Sequence, residues 1–260
     1  MIVELLREEP QLIAAICYAM IACGLVVLVV LLNGSRAPYG RFRDSAILSK
    51  LSISARLGWF IQEIPSLIIP LYYATKALPN LPLPNAVLLF FFIIHYAQRA
   101  TVYPIFINST KGTPIVIVLS AFIFCVINGY IQGAWHAKYV VFSSTWITSP
   151  LTFVGIILFL VGITTNIHSD SILRNLRRPG EEGYKIPRGG MFDYVSSANY
   201  FGECLEWIGY ALMARTLPSF TFALFTLCNI GPRGLSYHRW YVEKFEDYPK
   251  KRKAIIPFVL

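Results

Sequence analysis

Residues 11–32 read QLIAAICYAMIACGLVVLVVLL, twenty-two consecutive positions without a charged side chain. A helix needs about 20 mainly apolar residues to cross the hydrocarbon core of a bilayer, so this run alone places part of the chain in lipid. It is too long for the apolar core of a signal peptide and no small-residue cleavage site follows, so it is expected as a helix of the mature protein. The rest of the sequence agrees. Of 260 residues, 55% are hydrophobic, 15% aromatic and only 14% charged, whereas an ordinary soluble domain carries about 25% charged residues. Disorder is excluded, because it requires low hydrophobicity and high net charge. The five cysteines, Cys17, Cys23, Cys125, Cys204 and Cys228, lie in apolar stretches and none forms a C-x-x-C pair. That argues against a zinc site or a disulfide framework and for thiols packed as small hydrophobes, so no metal is expected.

Six further stretches can span a membrane: about 57–75, 84–107, 113–133, 150–167, 197–215 and 217–231, the last two divided only by Pro218. If seven spans alternate, one side of the membrane collects residues 33–56, 108–112, 168–195 and the tail from 232. These segments hold 18 of the 23 Lys and Arg, the opposite side holds Arg7, Lys76, Lys138 and Arg215, and Arg99 falls within a span. Basic residues accumulate on the cytosolic side of membrane proteins. The expected fold is therefore all-α: a polytopic bundle of seven transmembrane helices, N-terminus outside and C-terminus cytosolic. The net charge of +9 is explained by topology and lipid headgroups, without nucleic acid. No repeats or long linkers divide the chain, so residues 1–260 are expected to form one membrane-embedded domain, whose cytosolic side is built by the loop at about 168–195 and the tail 232–260.

Ionisable groups at membrane depth are costly and mark functional sites by default. Glu63 stands near the middle of the second span, where it either fastens helices through an ion pair or orients or exchanges a proton. Tyr96, Arg99 and Tyr103 advance by three and four and share a face of the third span; Asn128 and Gln132 repeat the pattern more weakly in the fourth. Asn166, Asp170, Arg174 and Arg177 advance by four, four and three, leaving the fifth span with an amide, a carboxylate and two guanidiniums on one face, beside His168 and Ser169. Such a stripe can be a solvated face, but paired guanidinium forks suit phosphate groups. In the sixth span Asn199, Glu203, Glu206 and Tyr210 form another stripe. Its two carboxylates need compensation, which Arg174, Arg177 or Arg233 could supply. Arg233, Tyr237 and Tyr241 share a face after the seventh span, next to His238. Together the stripes describe a polar, Arg-rich chamber in the cytosolic half, with Glu63 and Tyr96 between it and the membrane midplane. A phosphorylated cofactor meeting a lipophilic substrate would fit it.

These residues resemble a known family, the membrane steroid 5α-reductases. The matching strings are QEIPS at 62–66, NIHSD at 166–170, LRNLRRPG at 173–180, YKIPRGG at 184–190, ANYFGE at 198–203 and EWIGYAL at 206–212. FEDYPK at 245–250 and IPF at 256–258 extend the likeness to the tail, so it runs from about residue 36 onward, while the first helix matches only in position and character. The resemblance implies seven helices and NADPH-dependent reduction of the 4,5 double bond of a 3-oxo-Δ4-steroid entering from the bilayer. It implies that Glu63 and Tyr96 contact the 3-keto oxygen, with Gln62 assisting near the nicotinamide. It implies that Asn166, Asp170, Arg174, Arg177, Tyr184, Asn199, Glu203, Arg233, Tyr237 and Tyr241 line the NADPH site, with Tyr39 and Arg99 contributing. The chemistry suits the residues: hydride attack at C5 of an enone builds negative charge on the 3-oxygen, and a donor aimed there stabilises the transition state more than the ground state.

The sequence departs from the family in two places. The loop NSTKGTP at 108–114 lacks the usual arginine before the proline, with Lys111 its possible substitute, and the histidine pair before the final aromatic pair is Tyr237-His238. No G-x-G-x-x-G follows a strand, so no Rossmann domain is expected. Other readings are a related reductase of polyprenols or other lipophilic enones, a membrane methyltransferase, and a seven-helix transporter; the last should show paired halves or broken helices, which the sequence lacks. A monomer in the endoplasmic reticulum membrane of a eukaryote, or the inner membrane of a bacterium, is the expected setting.

Overall fold

The computed structural model describes residues 2–35, 51–107, 112–177, 181 and 183–260. Among the described residues the architecture is helical, with seven long helices: α1 Ile2–Leu32, α2 Ala55–Ala77, α3 Leu83–Phe106, α4 Ile115–Tyr139, α5 Pro150–Arg174, α6 Ala198–Ala214 and α7 Leu217–Lys244. A two-residue antiparallel pair, β1 Ser52–Ile53 with β2 Thr113–Pro114, ties the lead-in of α2 to that of α4. Four stretches, Glu8–Leu32, Leu83–Phe106, Ile115–Tyr139 and Pro150–Arg174, are long and apolar enough to cross a bilayer. Large apolar side chains such as Val29, Ile68, Phe90, Ile123, Phe153 and Val161 point outward, while Arg99, Asp170 and Glu206 are buried. An apolar exterior around a polar interior is the pattern of an all-α membrane protein.

Each expected span overlaps one helix, with shifted boundaries: 84–107, 113–133 and 197–215 overrun their helices, and four of the seven helices are long and apolar enough to cross a bilayer. The break between α6 and α7 is made before Pro218. Arg215 takes a left-handed conformation with φ 51°, and the side chains of Thr216 and Ser219 cap each other's backbone N–H groups. Pro218 sits in the first turn of α7, where its missing N–H costs nothing. α7 then runs on past residue 231 to Lys244 with Pro232 inside it, carrying one rigid element from the apolar core to the polar end.

Helix pairs approach closely where glycine removes the side chain. On α5, Gly155 and Gly162 are seven residues apart, and on α6 Gly202 and Gly209 repeat that spacing. A Cβ on Gly162 would lie 2.3 Å from Glu206 N, one on Gly202 2.5 Å from Asn166 N, and one on Gly209 2.5 Å from Phe159 N. The two backbones therefore touch, as small-residue seams allow in lipid. A second seam joins α4 to α2, where Gly129 and Gly133 face the backbone of Pro65 and Pro70. Between these pairs lies an aromatic core containing Phe92, Tyr96, Phe159, Trp207, Tyr210 and Phe222. α1 lies along α7, and its Glu9 is held by the hydroxyls of Tyr130 and Tyr139 and the Lys138 ammonium.

Candidate active site

Glu63 projects from α2 between two neighbours. Gln62 Nε2 donates to its Oε1 at 3.0 Å, and the Cys125 thiol of α4 lies 3.6 Å from its Oε2. One turn on, the Ser66 hydroxyl donates to the Cys125 carbonyl at 3.0 Å, so α2 and α4 are stitched by side chains where the glycine seam lets them approach. Tyr96 of α3 faces this group. It is buried, within electrostatic reach of Cys125, Glu63 and the Ser66 hydroxyl. The Phe92, His95 and Trp207 rings, 4.8, 4.9 and 6.1 Å away by centroid, wall it in.

Two residues beyond Tyr96 the helix widens into a π-turn over Gln98–Val102, a feature often found at functional sites. Arg99 leaves this turn and is buried between the rings of Trp59 and Tyr103, with its guanidinium carbon 4.7 and 4.4 Å from their centroids. Its Nη1 donates to Asp170 Oδ2 at 2.9 Å, and its Nη2 lies 3.9 Å from Glu203 Oε2. Asn199 Nδ2 donates to the other Asp170 oxygen at 3.3 Å, and Asn166 Nδ2 donates to the Asn199 carbonyl at 3.0 Å. A buried guanidinium is tolerable only when opposite charge and hydrogen bonds replace its water, and the stripes of α5 and α6 supply both. The structure thus joins Arg99, Asn166, Asp170, Asn199 and Glu203 into one network beside Gln62, Glu63 and Tyr96.

Glu206 departs from expectation. None of Arg174, Arg177 and Arg233 compensates it; His95 does, with Nδ1 at 2.6 Å from Oε1. Tyr210 is wholly inside the aromatic core, with no hydrogen-bond partner for its hydroxyl among the described residues.

The remaining expected residues gather at the polar end of the bundle. Arg174 lies over the Phe106 ring at 5.4 Å. Arg177 Nη1 donates to the Gly183 carbonyl at 3.3 Å, and its guanidinium is 6.0 Å from the Tyr184 ring, itself edge-on to Trp240 of α7. Among the described residues neither Arg174 nor Arg177 forms a salt bridge, so two cations are not committed to carboxylates. That donor set fits the phosphates of a dinucleotide. Arg233 Nη2 donates to the Tyr200 hydroxyl at 2.9 Å, and Tyr237 stacks on the Tyr200 ring at 5.7 Å. Tyr241 is buried against Tyr248, ring centroids 5.4 Å apart. Tyr39 and Lys111 lie outside the described residues.

A second joint closes this end. Ser196 Oγ lies 2.6 Å from both His238 Nδ1 and the Tyr248 hydroxyl and donates to the Lys253 carbonyl, while buried Arg252 donates to the Pro187 carbonyl at 3.0 Å. Burial, then the charges of Arg252 and Lys253, hold the His238 imidazole below its ordinary pKa.

Residues 111–260 match the model of the family described as 3-oxo-5-alpha-steroid 4-dehydrogenase. The chain belongs to this family. It is 51% identical to 3-oxo-5-alpha-steroid 4-dehydrogenase 1 of Rattus norvegicus over 236 residues, covering 90% of each chain. It is 44% identical to the enzyme of that name in Homo sapiens over 253 residues, 96% of each chain. With 3-oxo-5-alpha-steroid 4-dehydrogenase 2 of Homo sapiens it shares 42% over 241 residues, 92% of this chain and 93% of the relative. Membership of the 3-oxo-5-alpha-steroid 4-dehydrogenase family makes the chain an oxidoreductase of steroid metabolism, and its apolar helices make it a membrane one.

Within that frame, sequence reasoning missed His95, Ser66, Trp59 and the site role of Cys125. His95 carried a usable signal, an ionisable side chain in an otherwise apolar helix. Cys125 was expected as a small hydrophobe and is buried as one, yet its thiol faces Glu63.

Proposed function

We propose that this 3-oxo-5-alpha-steroid 4-dehydrogenase family member uses NADPH to reduce the 4,5 double bond of 3-oxo-Δ4-steroids. The observation that carries the reading is a buried carboxyl and phenol, Glu63 and Tyr96, next to a network of guanidinium, amide and carboxylate groups inside an apolar bundle. When bound, the nicotinamide supplies hydride to C5. The chain's own residues do the rest. The Tyr96 hydroxyl donates to the 3-oxygen and stabilises the charge that develops there, with Glu63 beside it at the 3-keto group. Gln62 fixes the Glu63 carboxyl in position. Arg174 and Arg177 hold phosphates by forked hydrogen bonds, and Asn166, Asp170, Asn199 and Glu203, with Arg99, position the cofactor's inner part. Tyr184, Arg233, Tyr237 and Tyr241 complete its walls. The aromatic core around Tyr96 excludes bulk water, which strengthens each polar contact. The proton that C4 finally gains has no evident side-chain source among the described residues.

The same proposal includes seven crossings with the N-terminus outside and the C-terminus cytosolic, one domain over residues 1–260, and a monomer that admits steroid from the bilayer. The asymmetry of Lys and Arg along the chain supports that orientation. Its membrane is the endoplasmic reticulum in a eukaryote, or the inner membrane in a bacterium. The test is direct. Purified protein in nanodiscs oxidises NADPH when given testosterone or progesterone and forms the 5α-dihydro product. Protein that binds NADPH yet reduces no Δ4-3-ketosteroid refutes the reading. Glu63→Gln and Tyr96→Phe cripple turnover while leaving cofactor binding; equal loss of NADPH affinity removes the assigned roles.

A further inference from the structure

The structure places a second ionisable pair beside Tyr96 that the proposed reaction does not use. Arg99 and His95, one turn apart on α3, face Glu203 and Glu206, one turn apart on α6, in opposite chain order. The two helices are thus joined by two rungs, and Tyr96 leaves α3 between them. The His95–Glu206 rung is the more enclosed. Glu206 is wholly buried, His95 nearly so, and among the described residues Glu206 Oε2 has no hydrogen-bond partner.

As a way of filling space this arrangement is poor. Replacing both partners of a buried hydrogen bond by apolar groups of the same shape is often nearly neutral or stabilising, and an unpartnered buried oxygen is itself a cost. What the pair supplies is direction. Its 2.6 Å hydrogen bond fixes the His95 ring, which stands edge-on to Tyr96 at 4.9 Å and 75° and edge-on to Trp207 at 4.5 Å. Glu206 is in turn seated by the glycine seam, because its backbone lies against Gly162. The Tyr96 ring is thereby held between α3's own Phe92 and the His95–Trp207 edge, which fixes the direction in which its hydroxyl points.

We infer that His95 and Glu206 form a positioning pair that aims the Tyr96 hydroxyl at the substrate's 3-oxygen. The inference rests on the proposed steroid reduction. Neither residue touches substrate; both act through Tyr96. Misplacement of a reacting group by about 1 Å can cost roughly 100-fold in rate.

The decisive variant is the double change His95→Phe with Glu206→Leu, which keeps volume and removes the hydrogen bond. It unfolds at or above the wild-type temperature and binds NADPH within about twofold by tryptophan fluorescence, yet its kcat for progesterone falls about 10- to 100-fold. The primary isotope effect with deuterated NADPH rises, because hydride transfer becomes the slow step. Glu206→Gln, whose amide oxygen still accepts from His95, keeps kcat within about threefold of wild type, and Glu206→Leu alone does not. A stable double variant with wild-type kcat overturns the inference, as does a folded Glu206→Gln that loses as much as Glu206→Leu. If the double variant does not fold, the comparison of those two single variants decides. Wild-type protein that reduces no steroid removes the functional reading and the inference with it, whereas active wild type with an active double variant removes the inference alone.

Discussion

Gly162→Ala tests how the α5–α6 seam serves the site. The added methyl would stand 2.3 Å from Glu206 N and 2.7 Å from both Glu206 Cα and Gly202 O. All three are backbone atoms, so no side chain can rotate away. Relief requires the helices to part by about 1 Å to reach ordinary contact distance. Glu206 and Glu203 sit on the displaced helix, so the 2.6 Å His95–Glu206 bond and the 3.9 Å approach of Glu203 to Arg99 are disturbed together. Overpacking of this kind costs about 1–3 kcal/mol, and the shift at the reacting groups lowers kcat/KM by roughly 100-fold. Thermal unfolding and progesterone turnover in nanodiscs measure the two effects. Gly231→Ala in α7 is the control: nothing lies within 4 Å of its added Cβ, so it stabilises by about 0.5–1 kcal/mol through helix propensity. A Gly162→Ala protein with wild-type turnover and unfolding temperature refutes the seam argument.

Three further outcomes are expected. Asp170→Asn leaves buried Arg99 with only the distant Glu203 and costs about 3–5 kcal/mol, whereas Glu181→Gln at the exposed Lys185 pair changes the unfolding temperature little; both are read by thermal melts. Arg174→Ala and Arg177→Ala each raise the NADPH dissociation constant, measured by fluorescence titration, and unchanged binding returns that stripe to a solvated face. His238 favours its neutral form in the folded protein. Its contribution is therefore present above about pH 6.5, the ordinary imidazole value, and is lost as pH falls below it. Hydrogen-exchange protection across residues 245–255, after correction for the intrinsic pH dependence of amide exchange, falls between pH 7 and pH 5 in wild type, and His238→Gln flattens that dependence.

The features legible in the sequence are those written along a single helix. The charge-free run at 11–32 and the stripes Asn166, Asp170 and Asn199, Glu203 need only periodicity, and the structure places each stripe facing inward. The features that were not legible depend on a partner far along the chain. His95 pairs with Glu206, 111 residues away, a contact that no spacing along either helix announces. The π-turn at Gln98–Val102 is a change in hydrogen-bond register that residue order alone does not announce. The glycines at 155, 162, 202 and 209 carry no chemistry, and their role exists only once two helices are set against each other. The continuation of α7 through Pro232 follows from packing at its far end, where Trp240 and Tyr241 meet Tyr184 and Tyr248.

The seam also sets a limit on how such a protein can diverge. None of its four glycines contacts a reactive group, yet each abuts main chain that no compensating change of side chain can move. Among descendants of this sequence, drift at those positions should be as restricted as at Glu63 itself, and a lineage that loses one should first have lost its selection for turnover.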